Sequence, residues 1–140
     1  MNKVIASIAV ALCVVFSSSL ASQEAESIAK ARASSTAWLK LIDEGNYKDS
    51  WNQGAGRFQT SVSQTSWESA VSNVRKPLGK VLGRELESAV FTHTLPGAPD
   101  GNYVVIQYST HFEHKANATE TVTPSQESDG SWKVSGYYVK

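Results

Sequence analysis

Three histidines in this sequence are candidate ligands for a metal ion. They are His93, His111 and His114, and the last two lie three residues apart in a segment that alternates apolar and polar residues. On a β-strand, residues three positions apart point to opposite faces of the sheet, so His111 and His114 would not share a metal ion. Glu113 or Glu120 would have to complete such a site. We therefore predict no metal site and no cofactor.

Acidic residues near the aromatic segments could act as a general base. Asp43, Asp49 and Glu120 are the nearest carboxylates, and one carboxylate in a pocket is sufficient to abstract a proton from a substrate. However, Asp43 would lie at a helix end and Asp49 at a capping position, which are structural roles. No Gly-x-Ser-x-Gly motif surrounds a serine, and the single cysteine, Cys13, lies in the N-terminal apolar segment. The sequence therefore predicts no catalytic residue.

Six other side chains are candidates for binding a ligand. Arg75 and Arg84 flank the predicted change from helix to sheet, where their planar guanidinium groups could bind a carboxylate or a phosphate. Alternatively, they form ion pairs with Glu85, Glu87 or Glu120. The other four candidates are Trp38, Trp51, Trp67 and Tyr108. Aromatic rings at such positions either line a cleft or form the core, and the helical spacing of the tryptophans favours the core.

The charge balance excludes two classes of partner. The chain has 13 basic and 13 acidic residues and no net charge at pH 7, whereas domains that bind nucleic acid or anionic lipid carry clustered basic residues. With 41% hydrophobic residues, the chain has enough apolar surface for a folded core. We therefore expect a folded domain that binds no nucleic acid and, once its leader is removed, no membrane.

The first 21 residues have the features of a secretory signal peptide. Lys3 supplies a positive charge, residues 4–16 form an apolar run, and Ser19 and Ala21 are small residues at the two positions that signal peptidase recognises. A membrane-spanning helix requires roughly 20 apolar residues, so the run is too short to span a bilayer. We expect the leader to direct export.

Three expectations follow from this leader. Cleavage should occur between Ala21 and Ser22, which leaves one domain over residues 22–140. Lipid attachment at Cys13 is not expected, because the bulky Leu12 precedes it where a small residue is normal. The mature protein should be periplasmic or secreted.

The N-terminal half of the mature chain has the pattern of helices. Residues 24–44 carry a stripe at helical spacing, formed by Ile28, Ala31, Ser35, Trp38 and Ile42. Gly45 should end this helix, because glycine commonly adopts the left-handed conformation at a helix C-terminus.

Two further helices are predicted. Asn46 is placed to cap a short second helix that Gly54 and Gly56 end. Thr65 and Glu68 form a capping box for a third. This third helix should finish near Arg75, because Pro77 removes a backbone donor and disfavours helical geometry in the residue before it.

The C-terminal half has the pattern of strands. The predicted strands are residues 82–95, 103–114, 119–127 and 132–139. Residues 95–101 form a loop with two prolines, and Asp129-Gly130 is a strong hairpin signal. Helices followed by strands with short connections predict an α+β fold, in which N-terminal helices pack on a four-stranded curved antiparallel sheet.

An ordered set of short motifs resembles a known family. The motifs are WLKLIDEGNY (38–47), Ser50-Trp51, Trp67, RKPLG (75–79), LPGAPDGNY (95–103), ETVTP (120–124) and DGSWKVSGYY (129–138). They resemble the small exported bacterial proteins grouped as domain of unknown function 4019. The resemblance implies a layout similar to the nuclear-transport-factor and cystatin-like architecture, which often leaves a pocket between its helices and its bent sheet. It implies no particular activity, because fold does not fix function.

Three functions are compatible with these observations. The leading hypothesis is a non-enzymatic exported domain that binds a small molecule, a peptide or a protein, either in a pocket between helices and sheet or on the proline loop. The first alternative is an isomerase or hydrolase that uses one carboxylate in such a pocket. The second is a homodimer joined through the sheet.

Cleavage of the leader is testable by intact-mass spectrometry. We expect the full-length chain, made in a bacterium, to be recovered from the periplasm or the medium with Ser22 as its first residue. An Ala21→Tyr variant should keep its leader, because the position before the cut accepts only a small side chain. Leu20→Tyr is the matched control, since the peptidase does not read that middle position. Unaltered protein that retains residues 1–21 would contradict the prediction.

Overall fold

In the part of the chain that the structure describes, residues 8–140, four helices precede four strands. The structure is a computed structural model, with side chains described from residue 19 onward. The elements are α1 (Ile8–Asp43), α2 (Tyr47–Asn52), α3 (Gly56–Ser61), α4 (Gln64–Leu78), β1 (Val81–Thr92), β2 (Tyr103–Phe112), β3 (Lys115–Gln126) and β4 (Trp132–Val139). Residues 1–7 of the predicted leader lie outside the described residues, and its cleavage after Ala21 stays a prediction.

The first predicted helix, residues 24–44, is confirmed as part of α1, which begins earlier, at Ile8, and ends where predicted. Its stripe faces the core, since Ala31, Ser35, Trp38 and Ile42 are buried and Ile28 is half-buried. Gly45 has a φ of +77°, which glycine adopts without steric cost. The Gly45 N–H donates to the Ile42 carbonyl at 3.1 Å and the Asn46 N–H donates to the Leu41 carbonyl at 2.8 Å. This pair of bonds is a Schellman motif.

The second helix is confirmed as α2 with Asn46 at its N-cap position, but the side chain of Asn46 does not cap it. The Asn46 side chain makes no hydrogen bond to the start of α2, and its Nδ2 donates to Glu44 Oε2 at 3.4 Å instead. Gly56 does not follow the helix end; it begins α3, which the sequence pattern did not predict. Gly54 permits this tight connection, because a Cβ atom there would lie 2.6 Å from Phe58 Cδ1.

The third predicted helix corresponds to α4, and it begins at a different cap. Ser63 has an extended backbone, and its Oγ accepts a hydrogen bond from the Ser66 N–H at 3.2 Å. Thr65 already lies inside the helix. The predicted Thr65–Glu68 capping box is therefore wrong, because the residue with the non-helical conformation that a cap needs lies two positions earlier.

The predicted end of this helix near Arg75 is also wrong. The helix α4 continues through Pro77 to Leu78. Trp67, Val71 and Arg75 are buried along α4. Burial of one helix face stabilises a helix more than local propensity does, so this packing outweighs the hydrogen bond that Pro77 does not make.

The α+β prediction is confirmed. The strands form an open antiparallel meander in the order β1-β2-β3-β4, and α1 contacts all four. The best predicted strand alternates as expected, with its inward side chains buried: Val104, Ile106, Tyr108, Thr110 and Phe112. Register shifts near Leu82, Glu87 and Pro124 mark bulges, which bend the strands.

Tryptophans fill the middle of the space between helices and sheet. The ring centroids of Trp38 and Trp67 lie 5.9 Å apart, and Phe58 meets Trp67 edge-on at 4.8 Å. Both indole N–H groups bond to the buried Ser50: Trp38 Nε1 donates to its carbonyl at 2.8 Å, and Trp67 Nε1 donates to its Oγ at 2.9 Å. One serine of α2 thus fixes the orientation of two core rings.

A Ser50→Ala variant tests this arrangement. The variant leaves the buried Trp67 N–H without an acceptor, so the free energy of unfolding should fall by about 1–3 kcal/mol. Urea denaturation followed by tryptophan fluorescence measures the change. Lys48→Ala, at an exposed position of the same helix, is the control and should change stability by less than about 0.5 kcal/mol. Equal stability of S50A and K48A would contradict this role for Ser50.

Candidate functional site

One end of the sheet's inner face holds charged and hydroxyl side chains that we call the polar cluster. The cluster consists of Asp43 (α1), Arg75 (α4), Arg84 (β1), Thr110 (β2), Glu120 (β3) and Tyr137 (β4). The Arg84 guanidinium is bidentate on Asp43, with Nη1 and Nη2 at 2.8 and 2.9 Å from the two carboxylate oxygens. Its Nε donates to Glu120 Oε1 at 2.7 Å. The Arg84 side chain therefore joins the end of α1 to strands β1 and β3.

Glu120 is the most deeply buried carboxylate of the polar cluster. Its side chain is 0% exposed, and both of its oxygens accept hydrogen bonds. Oε1 accepts from Arg84 and from Thr110 Oγ1 at 2.6 Å, and Oε2 accepts from the Tyr137 hydroxyl. A buried carboxylate is stable only when protein donors replace its water, and these three donors do so.

Arg75 closes the polar cluster from the helical side. Its side chain is 5% exposed, and Nη2 donates to Asp43 Oδ1 at 2.9 Å. Nη1 lies 3.4 Å from the Tyr137 hydroxyl, and the guanidinium carbon lies 5.0 Å from the centroid of the Phe112 ring. Asp43 therefore accepts hydrogen bonds from both arginines, which fixes the ends of α1 and α4 to the sheet.

These contacts shift the pKa of two groups. Burial opposes the charged form of Arg84, but hydrogen bonds to Asp43 and Glu120 and their negative charges outweigh it and raise the Arg84 pKa. Burial, reinforced by the charge of Glu120, raises the pKa of the Tyr137 phenol, and Arg75 opposes this in part. Arg84 is therefore a permanent cation, and Tyr137 is a neutral donor to Glu120.

The ion-pair alternative for the two candidate arginines is found in the structure. The predicted ion pair between Arg84 and Glu120 is confirmed. The other two predicted partners, Glu85 and Glu87, are wrong, because both are exposed and make no ion pair among the described residues. Asp43 takes their place as the second anion.

The four aromatic candidates lie apart from the arginines, in the middle of the inner face. They are Trp38, Trp51, Trp67 and Tyr108. Trp51 is half-buried, and its Nε1 donates to the Val62 carbonyl at 2.8 Å. The Tyr108 hydroxyl is buried, 3.1 Å from Ser35 Oγ. All four indole and phenol groups thus bond to the protein itself, and a role for them in ligand binding stays a prediction.

The opposite end of the inner face is open and forms a groove of about 580 Å³. Residues 20–30 of α1 form its wall. Its floor consists of Phe91, His93, Asn102, Gln126 and Trp132. The sequence patterns singled out two of these floor residues separately, His93 as a possible metal ligand and Trp132 as a cleft or core residue, but they did not predict that the five form one site. A signal was present, because neighbouring strands of a meander run in opposite directions, so the end of one strand lies beside the start of the next.

The groove offers aromatic faces and hydrogen-bonding groups. The Phe91 ring meets His93 edge-on at 4.9 Å and Trp132 at 6.5 Å between centroids. His93 Nδ1 lies 3.3 Å from the Gly101 carbonyl oxygen, which can only accept a hydrogen bond. Asn102 Nδ2 donates to the side-chain amide oxygen of Gln126 at 2.8 Å.

Two features of the described residues bear on other classes of function. No group of three or more metal-binding side chains converges among residues 19–140, whose side chains the structure describes. No helix within residues 8–140 is long and apolar enough to cross a membrane.

A Glu120→Gln variant tests the polar cluster. It removes the negative charge and leaves Arg84 with one anion instead of two, and loss of one partner of a buried ion pair costs about 3–5 kcal/mol. We expect a decrease of this order in the free energy of unfolding, measured by chemical denaturation. Glu85→Gln, at an exposed position next to Arg84, should change it by less than about 0.5 kcal/mol. An E120Q protein as stable as E85Q would refute the assignment.

Comparisons with known proteins identify the family. No curated protein matches the chain. A family model described as protein of unknown function (DUF4019) matches residues 34–137. The matched segment contains the whole polar cluster and the floor of the groove, and it spans more than half of the chain. The chain therefore belongs to the DUF4019 family of proteins of unknown function.

Proposed function

We propose that this protein is an exported binding module and that the groove at the open end of the sheet is its ligand site. The proposed ligand is a small molecule with a planar apolar body and a polar edge. The observation that carries the proposal is the groove itself, in which aromatic rings and hydrogen-bonding groups share one concave surface.

The dimensions and lining of the groove support this proposal. Ligand sites typically occupy about 300–1,000 Å³ and combine apolar walls with a few polar groups, and the groove has a volume of about 580 Å³. Phe91 and Trp132 supply ring faces. His93, Asn102 and Gln126 lie beside them and can bond to the polar edge of a ligand.

The charges around the groove favour a ligand with little net charge. On the wall, Lys30 Nζ lies 2.7 Å from Glu26 Oε1, so these two charges compensate each other. Glu24 adds one negative charge at the wall. Coulomb attraction is weak at such an exposed surface, and stacking and hydrogen bonds would therefore supply most of the selectivity.

Export is compatible with a groove in this position. Removal of residues 1–21 would take Leu20 from the wall and leave residues 23–30, which contribute most of it. The floor would be unchanged. A mature protein would therefore keep the groove.

The carboxylate-enzyme alternative has one observation in its favour, which is the enclosed Glu120. A general base must have an oxygen that faces its substrate. Both oxygens of Glu120 accept hydrogen bonds from protein groups. This arrangement favours a structural role for Glu120 and a binding function for the domain.

A pair of tryptophan variants tests the groove as a ligand site. The probe is N-phenyl-1-naphthylamine, an uncharged aromatic dye whose fluorescence rises in an apolar site. Ser27→Trp places an indole in the groove, because Ser27 lines it, and should reduce dye affinity at least tenfold. Ala29→Trp adds the same group at an exposed position outside the groove and should leave the affinity unchanged.

The dye experiment has two outcomes that would overturn the proposal. One is an absence of fluorescence enhancement with the unaltered mature protein. The other is an equal affinity of the S27W and A29W variants for the dye. Heat denaturation of both variants, with matching melting temperatures, would show that the difference does not arise from unfolding.

A further inference from the structure

A second cavity, separate from the groove, lies between α3 and the proline loop (residues 95–101). Its volume is about 250 Å³. Phe58 of α3 and Leu95, Pro96 and Ala98 of the loop form its apolar side. Three serine and threonine residues also line it, Ser61, Thr123 and Ser135. Among the described residues, Arg57 is the only charged one that lines this cavity.

The Arg57 guanidinium is held in place at the edge of this cavity. Nη1 donates to the Tyr103 hydroxyl, which in turn donates to the Pro99 carbonyl at 2.6 Å. The guanidinium carbon also lies 5.8 Å from the centroid of the Tyr103 ring. Part of the entropy cost of fixing an arginine side chain is therefore met before any ligand binds.

Arg57 makes no ion pair among the side chains that the structure describes, whereas Arg75 and Arg84 are both paired. Arg57 also lines a neighbouring pocket together with Asp100 and Glu127, but neither carboxylate lines this cavity. Arg57 is half-buried, and partial burial strengthens the attraction of a cation for an anion relative to bulk water.

We propose that this cavity binds a small aliphatic monocarboxylate, with its carboxylate on Arg57 and its hydrocarbon chain against Phe58 and the proline loop. The planar guanidinium fork matches a carboxylate through two parallel hydrogen bonds. A phosphate would bring a second charge and more acceptors than one arginine satisfies. A single cation beside an apolar surface therefore favours a singly charged anion with an apolar tail.

Titration with 3-methylbutanoate, followed by amide NMR spectra of the mature protein, tests the proposal. Saturable shifts should appear at Ser61, Ala98 and Ser135, which line the cavity. The neutral amide of the same acid, 3-methylbutanamide, has the same shape without the charge and should cause no shifts there. Equal binding of the acid and the amide would overturn the proposal, and so would shifts confined to the groove around His93.

Three variants test whether the charge of Arg57 and the space in the cavity are both needed for binding. Arg57→Gln should weaken binding of 3-methylbutanoate at least tenfold. Arg32→Gln, which removes an exposed arginine of α1, should have no effect on that affinity. Ala98→Trp fills the cavity from the loop side and leaves the guanidinium in place; it should abolish binding even if R57Q proves unstable. Wild-type affinity in either R57Q or A98W would overturn the proposal.

Discussion

The burial of Glu120 is the constraint on which the rest of the fold depends. An ionised carboxylate with no exposure to water is far less stable than one in solution unless donors surround it. Here the donors come from three strands, and Arg84 reaches in turn to Asp43 at the end of α1. Asp43 also accepts from Arg75 of α4. One network therefore fixes the positions of the ends of α1 and α4 relative to the sheet. In this network each charged side chain is stabilised by the oppositely charged side chain that it contacts.

This network explains why the two ends of the inner face differ. The charged side chains close one end, and the tryptophans around Ser50 fill the middle. Helix α1 is fixed to the polar cluster at Asp43 and to the sheet centre through Ser35 and Tyr108. Its residues 20–30 extend beyond these anchors, over strand ends that no other element covers in the described structure. An open groove is the geometric result of a helix anchored at one end and longer than its packed segment.

The sequence predicted those elements whose signals are local. The stripe of α1, the stop at Gly45 and the alternation of β2 each depend on residues a few positions apart, and all three are confirmed. The capping box at Thr65 and the end near Arg75 were wrong, because tertiary packing and one competing serine decided both helix ends. The pairing of Asp43 with Arg84 joins residues 41 positions apart, and no local pattern indicates such a contact. The groove was missed for the same reason, since its floor combines the ends of four strands.

The family match covers the parts of the molecule that carry its stability and does not reach the wall of the groove. Residues 34–137 include the polar cluster, the tryptophan core and the floor of the groove, but not its wall. Most side chains of the wall, residues 20–30, are exposed, and only Ile28 packs against the core. Exposed substitutions usually change stability by less than about 0.5 kcal/mol. The wall can therefore change in shape and charge at little cost to the fold, whereas a change in Glu120 or Arg84 affects every element that the network joins.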